Sequence, residues 1–386
     1  MRNFLNERAT ELQQGAIRAM FDRAKFFPGA INMGIGEPDF DTPSEIIEEG
    51  CIALRSGKTH YTANEGIIEL RSKISKYLGA FNIEIDPENE IIVTTGGMGG
   101  LALGLMVTIS PGDEVLVQDP QWLNYLSQIK YLGGVAVPVP TYEENQFRIT
   151  AKDIKKKITD RTKIIILNFP NNPTGAVLGY DDLKEIAEVV IEHDLFVISD
   201  EVYSTLLYDG TRHYSIASLP GMKERTLVVN SFSKSFAMTG WRVGFATGNR
   251  QIIEKMTRLQ ENLVACVSEV SQYAAIKALS LMDRANEMTE IYKVRRDIVI
   301  AGLNDINGIS CYKPKGAFYA FPNIKSLGKD SFSVANELLE KAGVITIPGS
   351  AFGSCGEGYL RLSYANSQEN LKEAMKRIKL YIESSI

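Results

Sequence analysis

Short apolar runs recur along the chain at 91–95, 114–118, 135–139, 163–168, 195–199, 226–230 and 243–247. Most are rich in Val and Ile, and several end in Gly, Pro, Asn or Asp. Longer segments with helical spacing lie between many of them, 101–109 and 181–192 among them. Such alternation predicts an α/β chain, with a mostly parallel seven-stranded sheet covered by helices on both faces. Near residue 285 the pattern changes. A helix is predicted over 291–303, then short strands over 316–321, 344–347 and 359–364, which together predict a smaller α+β domain. Asp39 to Pro43 reads as a turn leading into the large sheet. The expected division is therefore an N-terminal arm at 1–40 that joins the small domain, a large domain at 41–285, and a small C-terminal domain at 286–386.

In open α/β sheets, ligands sit beyond the carboxyl ends of the strands. The polar residues just after the apolar runs are thus the candidates for chemistry. Lys234 follows one run within Ser231-Phe232-Ser233-Lys234. It is either an ordinary loop lysine or an amine that forms a Schiff base once its pKa is lowered. Eight residues on, Arg242 suits a phosphate because its planar fork binds two oxygens, although a structural ion pair is equally open. Asp200 ends another run, and Tyr203 follows. That carboxylate could cap the next helix, or pair with a protonated pyridine nitrogen. Asn172, in Asn171-Asn172-Pro173-Thr174-Gly175, is turn material whose amide could also donate to a ring oxygen. Gly97 and Met98 open a helical stretch and offer free backbone N–H groups to a phosphate. Gly99, Gly100 and Gly104 within that helix point to close packing or a close ligand.

Composition narrows the class. The 386 residues are 44% apolar, ample for a large core, and the net charge of −5 provides no field to attract nucleic acid or an anionic membrane. The lysines from Lys155 to Lys157 sit beside Asp153 and Asp160, as on a solvated helix face. Cys51, Cys266, Cys311 and Cys355 lie far apart, and with three scattered histidines they make no local metal-ligand spacing, so no metal is expected. Scattered cysteines, a polar N-terminus without a signal-peptide core, and no apolar stretch of membrane-spanning length lead us to expect a soluble, cytoplasmic protein. Two motifs fail. Gly57-Lys58-Thr59 resembles the end of a P-loop but has Ile52 where that motif needs Gly, and no complete G-x-G-x-x-G occurs.

Order and spacing carry more than any single motif. S-x-S-K with Arg242 beyond it, D-x-x-Y upstream, and N-N-P-T-G before that resemble the class I/II aminotransferases, pyridoxal-phosphate enzymes of fold type I. The resemblance runs from Gly34-Ile35-Gly36-Glu37-Pro38-Asp39-Phe40 to Tyr359-Leu360-Arg361-Leu362-Ser363-Tyr364. It implies that Lys234 holds pyridoxal 5'-phosphate as an imine. It further implies that Arg242, Ser231, Ser233 and the backbone at Gly97 and Met98 hold the phosphate, and that Trp122 stacks on the pyridine ring. Asn172 and Tyr203 correspond to the donors to the ring oxygen, and Asp200 to the partner of the ring nitrogen. Tyr61 is similar to the tyrosine that reaches the phosphate of a neighbouring subunit, which implies a homodimer with shared active sites. Arg361 corresponds to the clamp on the substrate α-carboxylate, with the backbone at Gly36 closing over it. Strand alternation agrees, since Tyr359, Arg361 and Ser363 share one face.

The expected reaction is ping-pong transamination between an L-amino acid and a 2-oxo acid, with the freed Lys234 amine moving the α-proton. Aspartate with 2-oxoglutarate is the first expectation for the substrates and aromatic amino acids the second. A cysteine-S-conjugate β-lyase or another lyase on the same scaffold is the nearest alternative. A ligand-sensing regulator built on an aminotransferase-like domain is the remote one. Such regulators resemble fusions with a DNA-binding module, for which some thirty residues before the first motif leave no room at that end, and the net charge is negative.

Overall fold

The computed structural model describes residues 4–10, 15, 20 and 22–385. The expectations for the N-terminal arm, including its polar start, fall partly on residues outside this set. In chain order the strands are β1 (Ile31–Asn32), β2 (Ile91–Thr94), β3 (Glu114–Asp119), β4 (Val135–Pro140), β5 (Thr162–Asn168) and β6 (Phe196–Asp200). They continue as β7 (Thr226–Ser231), β8 (Gly244–Thr247), β9 (Tyr319–Ala320), β10 (Val344–Ile345), β11 (Ile347–Pro348) and β12 (Leu360–Ser363).

The large sheet runs β2-β8-β7-β6-β5-β3-β4, and every pairing is parallel except the two made by β8. The apolar runs become strands because alternate residues fill separate cores on the two faces. Val115, Val117, Ile164 and Ile166 pack on one side, and Leu116, Ile165 and Leu167 on the other. Helix Gly96–Thr108 lies on the first face, over β7 and β8. A Cβ at Gly104 would meet Leu227 at 2.4 Å, and one at Gly100 would meet Val229 at 3.2 Å. Close packing, not a ligand, accounts for these two glycines.

A smaller layer lies apart. β11, β12 and β9 form an antiparallel sheet, and β1 pairs in parallel with β10, joining residues near the N-terminus to the C-terminal part. Several bounds differ from expectation. The helical stretch expected to open at Gly97 and Met98 starts at Gly96, where φ +66° makes the turn out of β2, and ends at Thr108. The helix expected at 291–303 is the 23-residue Met282–Asn304, whose polar first turns hide its start. The strand expected at 316–321 shortens to β9, and that at 344–347 splits into β10 and β11.

Candidate active site

Asp119, Asn168, Asp200 and Ser231 end β3, β5, β6 and β7 along one edge of the sheet, and Gly244 of β8 faces Thr94 of β2 there. Beyond that edge lies a cavity of about 420 Å³. Gly36, Gly97, Met98, Trp122, Asn172, Asp200, Tyr203, Ser231, Ser233, Lys234, Arg242 and Arg361 all line it. These are all the site residues expected from the sequence apart from Tyr61, which is 88% exposed and lies outside this chain's own cavity.

One end of the cavity is made by backbone. The side chain of Thr95 does not cap the first turn of helix Gly96–Thr108, so its leading N–H groups remain available to an anion. Gly244 permits that turn, since a Cβ there would sit 2.7 Å from the Gly96 carbonyl carbon and 2.8 Å from the Gly97 nitrogen. Arg242, itself at φ +52°, donates to the Thr239 carbonyl at 2.9 Å and lies against Gly96. The Ser231 hydroxyl accepts from the Ser233 N–H at 3.1 Å and caps the short helix Phe232–Ser235, which orients Lys234.

Lys234 Nζ donates to the Gly36 carbonyl at 2.6 Å. Burial brings its pKa down to about 8; Glu37 opposes this, while Arg361 and Arg242 add to it. Asp200 is buried, and burial pushes its carboxyl up to about 6 against a 2.6 Å hydrogen bond donated by Tyr125 Oη. It caps no helix: its Oδ1 accepts from the Val202 N–H at 3.3 Å within a turn. Tyr125 also meets the Trp122 ring edge-on at 5.3 Å. Asn172 takes its place because Asn168 Oδ1 accepts its N–H at 3.0 Å and Asn171 Oδ1 accepts from Thr174, closing the turn.

The other end is made by side chains. Arg361 is almost fully buried between the Tyr319 and Phe352 rings, whose centroids lie 4.8 and 4.9 Å from its Cζ. Its Nη1 donates to Asn172 Oδ1 at 3.1 Å, its Nη2 donates to the Gly34 carbonyl, and its Nε is buried without a hydrogen-bond partner among the described residues. Burial pulls its pKa below the usual guanidinium range. Tyr203 and Tyr319 share a 2.8 Å hydroxyl hydrogen bond, and burial first, then Tyr319, holds the Tyr203 phenol well above its ordinary range.

Sequence reasoning missed Tyr125, Asn168, Tyr319 and Glu37, which also line the cavity. Tyr125 and Tyr319 look like core aromatics in one dimension. Asn168, by contrast, was findable as the polar end of β5. Glu37 adjoins Gly36 and accepts from the Thr239 hydroxyl, joining the N-terminal segment to the loop before Arg242.

The family model for aminotransferase class I and II matches residues 28–378. The chain is 47% identical to an aspartate aminotransferase of Pyrococcus abyssi and 45% identical to aromatic-amino-acid aminotransferase 2 of Thermococcus litoralis, in each case over 97% of both chains. Its fold is similar to the crystal structure of an aromatic aminotransferase from Pyrococcus horikoshii, with a TM-score of 0.91 at 47% identity over 95% of this chain and 99% of that one. Aspartate aminotransferase from Thermus thermophilus superposes with a TM-score of 0.93 at 36% identity, over 99% of this chain and 100% of that one. With a match across nearly its whole length, the chain belongs to the class I and II aminotransferases and is an aminotransferase.

Proposed function

We propose that this enzyme moves an amino group from an L-amino acid to a 2-oxo acid such as 2-oxoglutarate, using pyridoxal 5'-phosphate held at Lys234. Aspartate and aromatic amino acids are the proposed donors, supported by the names of the relatives above. The observation that carries the reading is convergence: Lys234, Asp200, Asn172, Tyr203, Arg242 and Arg361 border one cavity.

The family works with pyridoxal phosphate, and the residues present fit that group. An uncapped helix N-terminus beside Arg242 suits a phosphate. A buried carboxylate with its pKa lifted to about 6 suits a protonated ring nitrogen, and a buried guanidinium with an unpartnered Nε suits a carboxylate. When bound, the cofactor supplies an electron sink for the carbanion at the substrate α-carbon. Asp200 would keep the ring nitrogen cationic, Trp122 would pack on the ring, and Asn172 and Tyr203 would hold its oxygen. Arg361 fixes the substrate carboxylate, with Gly36 closing over it. The Lys234 amine, with its pKa near 8, is neutral in a useful fraction at neutral pH and moves the α-proton. Exposed Tyr61 suits a role in a homodimer, reaching the phosphate of the neighbouring subunit. We place the domain divisions at about residues 40 and 285; the pairing of β1 with β10 supports this, and helix Met282–Asn304 crosses the second division.

The test is an absorbance spectrum of the purified protein, followed by addition of single amino acids without a 2-oxo acid. A band between roughly 360 and 430 nm that collapses to about 330 nm with aspartate or aromatic amino acids is expected. Pyruvate release with a persistent band would replace transamination by a lyase reaction. No band after adding pyridoxal phosphate would remove the site assignment.

A further inference from the structure

Asp119 closes β3 and is buried. Its backbone is fixed within the large sheet, where its carbonyl accepts from the Thr141 N–H at 2.8 Å and hydroxyl at 3.0 Å. Its carboxylate turns the other way, into the turn that precedes β12. Oδ2 accepts from the Ser354 N–H at 3.0 Å and hydroxyl at 2.7 Å, and Oδ1 accepts from the Cys355 N–H at 3.1 Å. Gly353, at φ +126°, lets the carboxylate approach; a Cβ there would lie 2.0 Å from Asp119 Oδ1. Three neutral donors thus hold a buried carboxylate. An amide in its place offers one acceptor oxygen instead of two.

The same seam continues toward the cavity. Two residues after Asp119, the Gln121 N–H donates to the Phe352 carbonyl at 2.8 Å, and Trp122 follows. Phe352 is fully buried, and its ring forms one wall of the Arg361 guanidinium. The two aromatic faces, with the hydrogen bonds to Asn172 and the Gly34 carbonyl, hold the plane of the guanidinium. The ring of Phe352 is carried by a turn that the Asp119 carboxylate pins.

We infer that Asp119 is a positioning residue for substrate carboxylate binding: by locking residues 352–355 to the end of β3, it holds Phe352 against Arg361. The inference rests on the reading of Arg361 as the carboxylate clamp. Because amino acid and 2-oxo acid share that carboxylate, a loosened turn weakens both and leaves the proton-transfer groups in place. The effect therefore falls on KM rather than kcat.

The experiment compares Asp119→Asn, Ser354→Ala and Arg361→Lys in the holoenzyme. For Asp119→Asn, KM for donor and acceptor is expected to rise about tenfold, with kcat within about threefold and the cofactor absorbance unchanged. Ser354→Ala, which removes one of the three donors, is expected to raise both KM values about twofold to threefold. Arg361→Lys separates the two readings: if it leaves KM unmoved, the carboxylate assignment itself fails. If it raises KM while Asp119→Asn lowers only melting temperature or kcat, the positioning role is overturned alone. Should Asp119→Asn lose its fold or cofactor, Ser354→Ala decides, and unchanged KM values there overturn the inference.

Discussion

The two ends of the cavity are built in opposite ways. The end proposed for phosphate is a helix terminus with Arg242, Ser231 and Ser233 beside it, set by short connections along one edge of the large sheet, from Gly96 to Met98 and from Ser231 to Arg242. The end proposed for carboxylate joins segments far apart in sequence: Gly34 to Glu37, Tyr319, Phe352 and Arg361. There the functional groups hold protein partners, with Lys234 on the Gly36 carbonyl and Arg361 on the Gly34 carbonyl and Asn172. A rigid backbone seat suits a group that stays bound through every turnover. Side-chain contacts to a neighbouring segment suit a ligand that must enter and leave, since each contact can be exchanged for one to substrate.

Lys234→Ala should have the largest effect, because it removes the group that serves both ends. Turnover should fall by more than about 10³-fold, and the absorbance of lysine-bound cofactor should disappear. Wild-type rates in that variant would end the account of both.

Gly244→Ala attacks the phosphate end alone. The added Cβ would press on the backbone of Gly96 and Gly97, so cofactor affinity should drop by about tenfold or more in a titration followed by fluorescence. At saturating cofactor, KM for the amino donor should stay within about twofold. An equal rise in KM would show that the ends are not separable, and Asp119→Asn is the matching probe from the carboxylate side.

Tyr125→Phe should have the smallest effect and a defined sign. The lost hydrogen bond lowers the Asp200 pKa, so removing it raises that value above about 6. Asp200 serves as the ionised carboxylate, so activity is lost as pH falls through its pKa, and this acid limb should move to higher pH. The loss should be slight at pH 8, where the carboxyl stays ionised, and larger at pH 6, near its pKa. A pH–rate profile whose acid limb does not move would remove Tyr125 from the tuning of Asp200.

Legibility in the sequence follows the same division. β5 and β7 end at Asn168 and Ser231, where the apolar runs give way to buried polar side chains that line the cavity, and that signal is local. The phosphate end was readable for this reason: its residues lie within a few positions of a strand end. Strand alternation put Arg361 on one face with Tyr359 and Ser363, but nothing local could supply Tyr319 and Phe352 as its walls. Tyr125 likewise has the helical spacing of a core aromatic, and only folding turns its hydroxyl toward Asp200, 75 residues away.

By itself, then, the sequence determined the alternation that makes a mostly parallel sheet, the edge on which its polar residues gather, and the order of motifs that marks the family. Periodicity and strand-end chemistry are properties of neighbouring residues and survive in one dimension. Tertiary structure alone decided that Asp119 reaches across to Ser354 and Cys355, and that Arg361 lies between two rings. It also decided that Lys234 is depressed by burial. Desolvation and long-range packing depend on which distant segments exclude water from a site, and a single chain read in order does not contain that information.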